Sequence, residues 1–259
     1  MKNIFSVEGK VAIVTGGSRG IGEMIAEGLV ENGVRVYISA RKADACEATA
    51  ARLSKLGECI SVPADLSTPD GIAKLVAEVS SKEEQLDILV NNAGATWGAP
   101  LDDFPSDAFD KVMNINVKAV FELTTKCLPL LRASASPADP ARVIITSSVE
   151  GIGISAQSNY PYGASKAGVI HLSKQIAKTL APEQITVNCI APGPFESKMM
   201  AFALDSEEKR SAVANSVPMK RIGQPEDVAG AVIYLSSKAG AYVTGQALAI
   251  DGGGLLGPG

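Results

Sequence analysis

Seven short apolar runs alternate along this chain with six stretches patterned as helices of twelve or more residues. The runs fall at residues 10–15, 34–39, 59–63, 86–90, 142–146, 185–190 and 246–250. The helical patterns fall at 21–32, 42–56, 68–82, 106–131, 162–180 and 224–236. That order permits few folds. Successive strands joined through a helix pair in parallel, and a parallel sheet needs helices over both faces. Right-handed crossovers then give a single-domain, doubly wound Rossmann-type α/β fold over residues 1–259. No repeat and no linker divides the chain. One irregular stretch, about 194–222, is expected to sit on the substrate side, beyond the carboxyl ends of the strands.

Composition narrows the function classes. Apolar residues make up 46% of 259, enough for a large core, and the net charge is −4. With no basic run, nucleic acid is not an expected partner. No signal-like or membrane-spanning stretch stands out, so neither a membrane nor a leader is expected. Cys46, Cys59, Cys127 and Cys189 are scattered, which suits free thiols in a reducing, cytoplasmic setting and no metal site. The single histidine, His171, reads as structural.

The first strand runs directly into Thr15-Gly16-Gly17-Ser18-Arg19-Gly20-Ile21-Gly22. A glycine turn there lets backbone N–H groups and a helix N-terminus approach a diphosphate. The second strand ends Ser39-Ala40-Arg41, without the acid that would bond a ribose 2′-hydroxyl. Arg19 and Arg41 instead supply two cations suited to a 2′-phosphate, so the expected cofactor is NADP (NADPH). Asp44, the nearest acid, reads as a first-turn helix residue.

Tyr162 stands four residues before Lys166, one helical turn apart on one face. An ammonium there is expected to lower the pKa of the phenol, whose ordinary value is about 10. Tyr234 and Lys238 repeat the spacing without a hydroxyl-ended strand upstream, and read as surface neighbours. Ser148 closes the fifth apolar run, with Ser147 as a rival hydroxyl and Tyr160 as a rival tyrosine that lacks its lysine. Glu150 reads as either tuning the site or, in preference, facing solvent.

Together with Asn91-Asn92-Ala93-Gly94, Asn114-Ile115-Asn116-Val117, Pro192-Gly193, the run Gly223 to Val228, Val243-Thr244-Gly245 and Asp251-Gly252-Gly253, these segments occur in the order found in one family. The chain resembles a short-chain dehydrogenase/reductase over almost its full length. The resemblance implies that Tyr162 is the acid/base, Lys166 its partner and ribose holder, Ser148 the orienter of a substrate carbonyl, and Asn116 the support of a water relay. It implies cofactor contacts from Gly16, Ser18, Arg19, Gly20, Ile21, Gly22, Arg41, Asp65, Leu66, Asn92, Ala93, Gly94, Tyr162, Lys166, Pro192, Gly193 and Ser197. It also implies a homotetramer packed through residues 106–131 and 162–180.

Within the family the pattern is most similar to 3-oxoacyl thioester reductases of the rhamnolipid-pathway type, through Asn91 to Gly98 and Leu128 to Pro137. The implied substrate is a small-molecule carbonyl, an acyl thioester on a carrier protein or coenzyme A. Glu183 replaces the basic residue that fatty-acid reductases tend to carry before the sixth strand. Phe195, Met199, Met200, Phe202, Leu204 and Trp97 suit either an apolar tail or a lid packed on its own core. Reduction of a sugar-derived or cyclic ketone is the alternative reaction. A non-catalytic NADP-binding regulator is the alternative of another class.

Overall fold

The computed structural model describes residues 3–154 and 157–257, without the side chain of Met199. Seven strands form one parallel sheet: β1 (Val11–Thr15), β2 (Arg35–Ser39), β3 (Cys59–Ser61), β4 (Ile88–Asn91), β5 (Ala141–Thr146), β6 (Ile185–Pro192) and β7 (Ala247–Ile250). Their order is β3-β2-β1-β4-β5-β6-β7, and every pair is parallel. The central strands are apolar on both faces because helices cover both. One layer of core joins Ile13, Leu89, Val143 and Val187 to Leu123, Cys127 and Val169. The other joins Ala12, Val14, Ile88 and Ile144 to Ile25, Leu29, Val228 and Val232.

The helices are α1 (Gly20–Glu31), α2 (Ala43–Leu53), α3 (Pro69–Ser80), α4 (Ser106–Met113), α5 (Ala119–Ser134), α6 (Tyr160–Leu180), α7 (Glu207–Ser216) and α8 (Pro225–Ser236). Local chemistry explains several ends. Thr68 accepts from the Gly71 N–H at 3.1 Å and Pro69 follows, so α3 starts where its orphan donors find a partner. Gln224 and Asp227 form a reciprocal capping box at the start of α8.

Two expectations need correction. The pattern over residues 106–131 is not one continuous α-helix: a π-helical turn at Asn114–Lys118 separates α4 from α5. Apolar periodicity survives the break, since Val112, Ala119, Val120 and Leu123 are all buried. The stretch after β6 is not wholly irregular either. It holds a 3₁₀ turn, Lys198–Ala203, and the helix α7, capped by Ser206 accepting from the Lys209 N–H at 3.3 Å. No residue of α7 is buried, so it has no apolar stripe to read.

Among the described residues no helix is long and apolar enough to cross a membrane, and no acid, histidine and cysteine cluster could hold a metal ion. The four cysteines are free and buried.

Candidate active site

The switch point of the sheet lies between β1 and β4, whose connections leave in opposite directions and open a crevice at their carboxyl ends. The turn after β1 enters it. Gly16 N–H donates to the Ser39 carbonyl at 2.7 Å, which ties the turn to the end of β2. Gly16 has φ +66°, and a Cβ there would stand 2.9 Å from Asn92 Nδ2. A Cβ on Gly22 would lie 2.3 Å from the Gly16 carbonyl oxygen. Only hydrogen fits there, so the turn folds tightly back on α1.

Thr15 anchors the opposite wall. Its Oγ1 accepts from the Asn92 and Ala93 N–H groups at 2.8 and 2.9 Å, while Asn92 Nδ2 donates to the Thr15 carbonyl at 2.9 Å. The sequence reading passed over Thr15 as a site residue; its place as the last residue of β1 was the available signal. Gly20 faces Ser197, whose Cβ would be 3.1 Å from a Gly20 Cβ. The segment after β6 therefore begins against the glycine turn. Gly193 packs on Asp251, and Pro192 pairs with Ile250.

Around this cradle, the Ser18 carbonyl accepts from Thr49 Oγ1 at 3.1 Å, and Ile21 packs into the second core layer. Arg19 and Arg41 are exposed and, among the described residues, enter no ion pair or side-chain hydrogen bond, so both forks are available to an anion. Asp65 accepts from the Ser67 hydroxyl at 2.7 Å and backbone at 3.0 Å. Those bonds hold its carboxyl below the usual range, against its burial. The Leu66 side chain is buried in the core, so only its backbone can face a ligand. A glycine cradle that excludes side chains, with two free guanidinium groups at its rim, fits a dinucleotide carrying an extra phosphate.

Next to the cradle lies the second group. Gly94 is where the two meet: a Cβ there would be 3.1 Å from Asn116 Oδ1 and 3.6 Å from Lys166 Nζ. Asn116 sits in the π-helical turn, a feature that recurs at functional sites. Its amide is fully engaged, accepting from Ala95 N–H at 2.8 Å and donating to the Ala95 carbonyl and Ser165 Oγ, each at 2.9 Å. Lys166 is buried, its ammonium 2.7 Å from the Thr146 carbonyl and 5.6 Å from the centre of the Tyr162 ring.

Burial pulls Lys166 down to about 8, so it keeps most of its charge at neutral pH. Tyr162 runs against expectation. Burial pushes the phenol up to about 12, the Ser148 hydroxyl facing it works the other way, and the Glu150 carboxylate adds to the rise. The lysine therefore does not bring the phenol below its ordinary value in the protein alone. What results is a firmly protonated donor.

Geometry separates the rivals. Ser147 Oγ donates to the Lys166 carbonyl at 2.7 Å and is spent in the fold, whereas Ser148 faces the phenol. Tyr160 is exposed and packs edge-on to Phe104, with ring centres 5.9 Å apart. His171 is exposed beside Gln175. Glu150 does not simply face solvent: Asn159 Nδ2 donates to its Oε2 at 2.8 Å.

A dinucleotide cradle joined to a buried serine and lysine and a part-buried tyrosine defines the chain as a nucleotide-dependent oxidoreductase of the doubly wound class. A family profile described as enoyl-(acyl carrier protein) reductase matches residues 16–254. The rhamnolipids biosynthesis 3-oxoacyl-[acyl-carrier-protein] reductase of Pseudomonas aeruginosa is 49% identical over 253 residues, 98% of this chain and 99% of that protein. The RhlG/NADP active-site complex from Pseudomonas aeruginosa superposes with a TM-score of 0.95 at 49% identity, over 98% of this chain and all of that one. A gluconate 5-dehydrogenase from Burkholderia cenocepacia, in complex with NADP and tartrate, is similar at a TM-score of 0.88 and 30% identity, over 97% of each chain. The chain belongs to the short-chain dehydrogenase/reductase family.

Proposed function

We propose that this protein is an NADPH-dependent reductase of 3-oxoacyl thioesters. The observation that carries the reading is the Ser148, Tyr162 and Lys166 group, with Lys166 fixed on the Thr146 carbonyl beside the glycine cradle. When bound, NADPH supplies a hydride to the carbonyl carbon. Ser148 orients the carbonyl oxygen, and Tyr162 gives it a proton. Lys166 keeps an ammonium next to the ring and holds the nicotinamide ribose. Asn116 braces the loop after β4 and supports a water relay to the lysine. Pro192, Gly193 and Ser197 flank the nicotinamide, and Asp65, Leu66, Asn92 and Ala93 line the adenosine half.

Cofactor choice follows from the two free arginines. Each charge-assisted bond to a phosphate contributes about 1.5–3 kcal/mol. Arg41→Ala and Arg19→Ala are each expected to raise KM for NADPH roughly 10- to 100-fold, leaving that for NADH nearly unchanged. Steady-state kinetics with the two cofactors reads the difference.

An acyl substrate is supported by exposed apolar side chains on loops after β4, β5 and β6, namely Trp97, Leu101, Ile152 and Phe202. Leu204, by contrast, is buried, so part of the segment after β6 packs on the protein itself. The side chain of Met199 lies outside the described residues. Glu183 accepts from Arg132 Nε at 2.5 Å, so that arginine is paired at the surface before β6 and both a carrier protein and coenzyme A stay open as the thioester carrier.

The deciding assay follows NADPH oxidation with 3-oxoacyl thioesters of coenzyme A and of carrier protein, in several chain lengths, beside cyclic and sugar-derived ketones. Turnover that rises with acyl length is expected. Faster turnover of short polar ketones would replace the acyl reading, and tight NADP binding without turnover would make the chain a regulator. Four buried free thiols suit a cytoplasmic setting. Phe109 and Phe121, exposed on α4 and α5, suit burial in a homotetramer, whose mass light scattering measures.

A further inference from the structure

Glu150 lies in a 3₁₀ turn, Val149–Gly151, between β5 and α6. Its backbone N–H donates to Ser148 Oγ at 3.2 Å, and its carboxylate is gripped by Asn159. Asn159 is 5% exposed and stands at the N-cap position of α6. An asparagine there ordinarily turns its side-chain oxygen onto the first helical N–H groups. Here it makes no such cap bond, and its amide serves Glu150 instead. The Asn159 carbonyl meanwhile accepts from the Tyr162 N–H at 2.8 Å. One residue thus binds the carboxylate with its side chain and the backbone of Tyr162 with its main chain.

The turn has little freedom to release this arrangement. A Cβ on Gly151 would lie 2.6 Å from the carbonyl carbon of Lys166, so the turn is pressed flat onto α6. The carboxylate is held near the start of that helix, where the macrodipole favours negative charge. Besides Glu150, the titratable groups acting on the phenol and its neighbouring amine are Lys166 on α6 itself and Cys189 on β6. Ser148 faces the phenol as a neutral hydroxyl.

In carbonyl reduction the hydride adds to carbon and the phenol proton passes to oxygen, leaving a phenolate that must be reprotonated before the next turnover. A fixed negative charge beside the phenol favours the protonated state. We propose that Glu150, fixed by Asn159, is a positioning residue that resists ionisation of Tyr162 and so sets how high the pH must rise before the phenolate needed for alcohol oxidation forms. The inference rests on Tyr162 being the acid of the reaction proposed above.

The test uses the full chain labelled with [13Cζ]tyrosine, the Tyr162 resonance being assigned by its loss in Tyr162→Phe. Glu150→Gln, which keeps the shape and removes the charge, is expected to lower the Tyr162 titration midpoint by about one pH unit. Glu150→Asp is expected to stay closer to the parent, and Asn159→Ala to fall between. The pH profile of alcohol oxidation should move by the same amount. An unmoved midpoint in Glu150→Gln overturns the inference, even if turnover drops, because a purely structural role lowers the rate without shifting the titration. Should the protein reduce no carbonyl at all, the resonance still reports the coupling, so failure of the functional reading is told apart from failure of this one.

Discussion

Tyr162→Phe is expected to lower turnover by roughly 10²- to 10⁴-fold with the acyl substrate, while cofactor binding stays within a few-fold of the parent. The substitution removes one hydroxyl and leaves the ring, so the contact with Lys166 at 5.6 Å and the Tyr162 N–H bond to Asn159 both persist. The loss corresponds to about 3–5 kcal/mol of transition-state stabilisation. It arises because no other donor is placed to substitute. Ser148 carries a hydroxyl that titrates far too high, Ser147 is bonded to the Lys166 carbonyl, and Lys166 is held by Thr146. Single-turnover measurements at saturating NADPH isolate the chemical step, and an unchanged melting temperature excludes a folding defect. Parent-like turnover would sink the assignment of the proton donor.

The largest effect on stability is expected far from that site. Arg142 is the second residue of β5 and is 1% exposed. Its Nε donates to the Leu235 carbonyl at 3.1 Å and its Nη2 to the Ser237 carbonyl at 3.1 Å, so one guanidinium closes the C-terminal end of α8. The same Nη2 pairs with Asp139 at 3.1 Å, and Asp139 also binds Lys10 at 2.5 Å. Burial pulls the guanidinium below its ordinary value, while Asp139 and Asp87 act in the opposite direction.

Arg142→Met keeps much of the volume but strands two helix-end carbonyls and a carboxylate that has lost one partner. Removing one member of such a buried set costs about 3–5 kcal/mol. In a chain of this size that corresponds to a fall of about 10 °C in melting temperature. Arg142→Lys should recover part of it, since an ammonium can reach one carbonyl but cannot reproduce the fork. Thermal and denaturant unfolding read both variants. A change below about 1 kcal/mol in Arg142→Met would show that water or α8 itself re-satisfies those carbonyls.

Legibility in the sequence followed the range of the interactions. The strands could be read as short continuous apolar runs, because a parallel sheet buries both of their faces, and most helices because one buried face imposes a period of 3.6 residues. The breaks came where that link fails. The π-helical turn at Asn114–Lys118 hides within 106–131 because Val112 and Ala119 stay buried on either side of it. The helix α7 escapes because it buries nothing and is held by Ser206 at its start. Within the site, the partnership of Tyr162 and Lys166 was readable because one helical turn joins them. The state of the phenol was not, since burial raises it, and burial belongs to the folded molecule.

The amino-acid order by itself determined a parallel, doubly wound sheet, a diphosphate turn after its first strand, and the placing of a tyrosine and a lysine on one helical face. These depend on neighbours within a few residues and on periodic burial. Only the tertiary structure decided that Ser148 rather than Ser147 faces the phenol, that Asn159 turns from capping its helix to hold Glu150, and that Arg142 serves the end of α8. In each case the deciding partner lies on another element, and its approach is set by packing that no local pattern records.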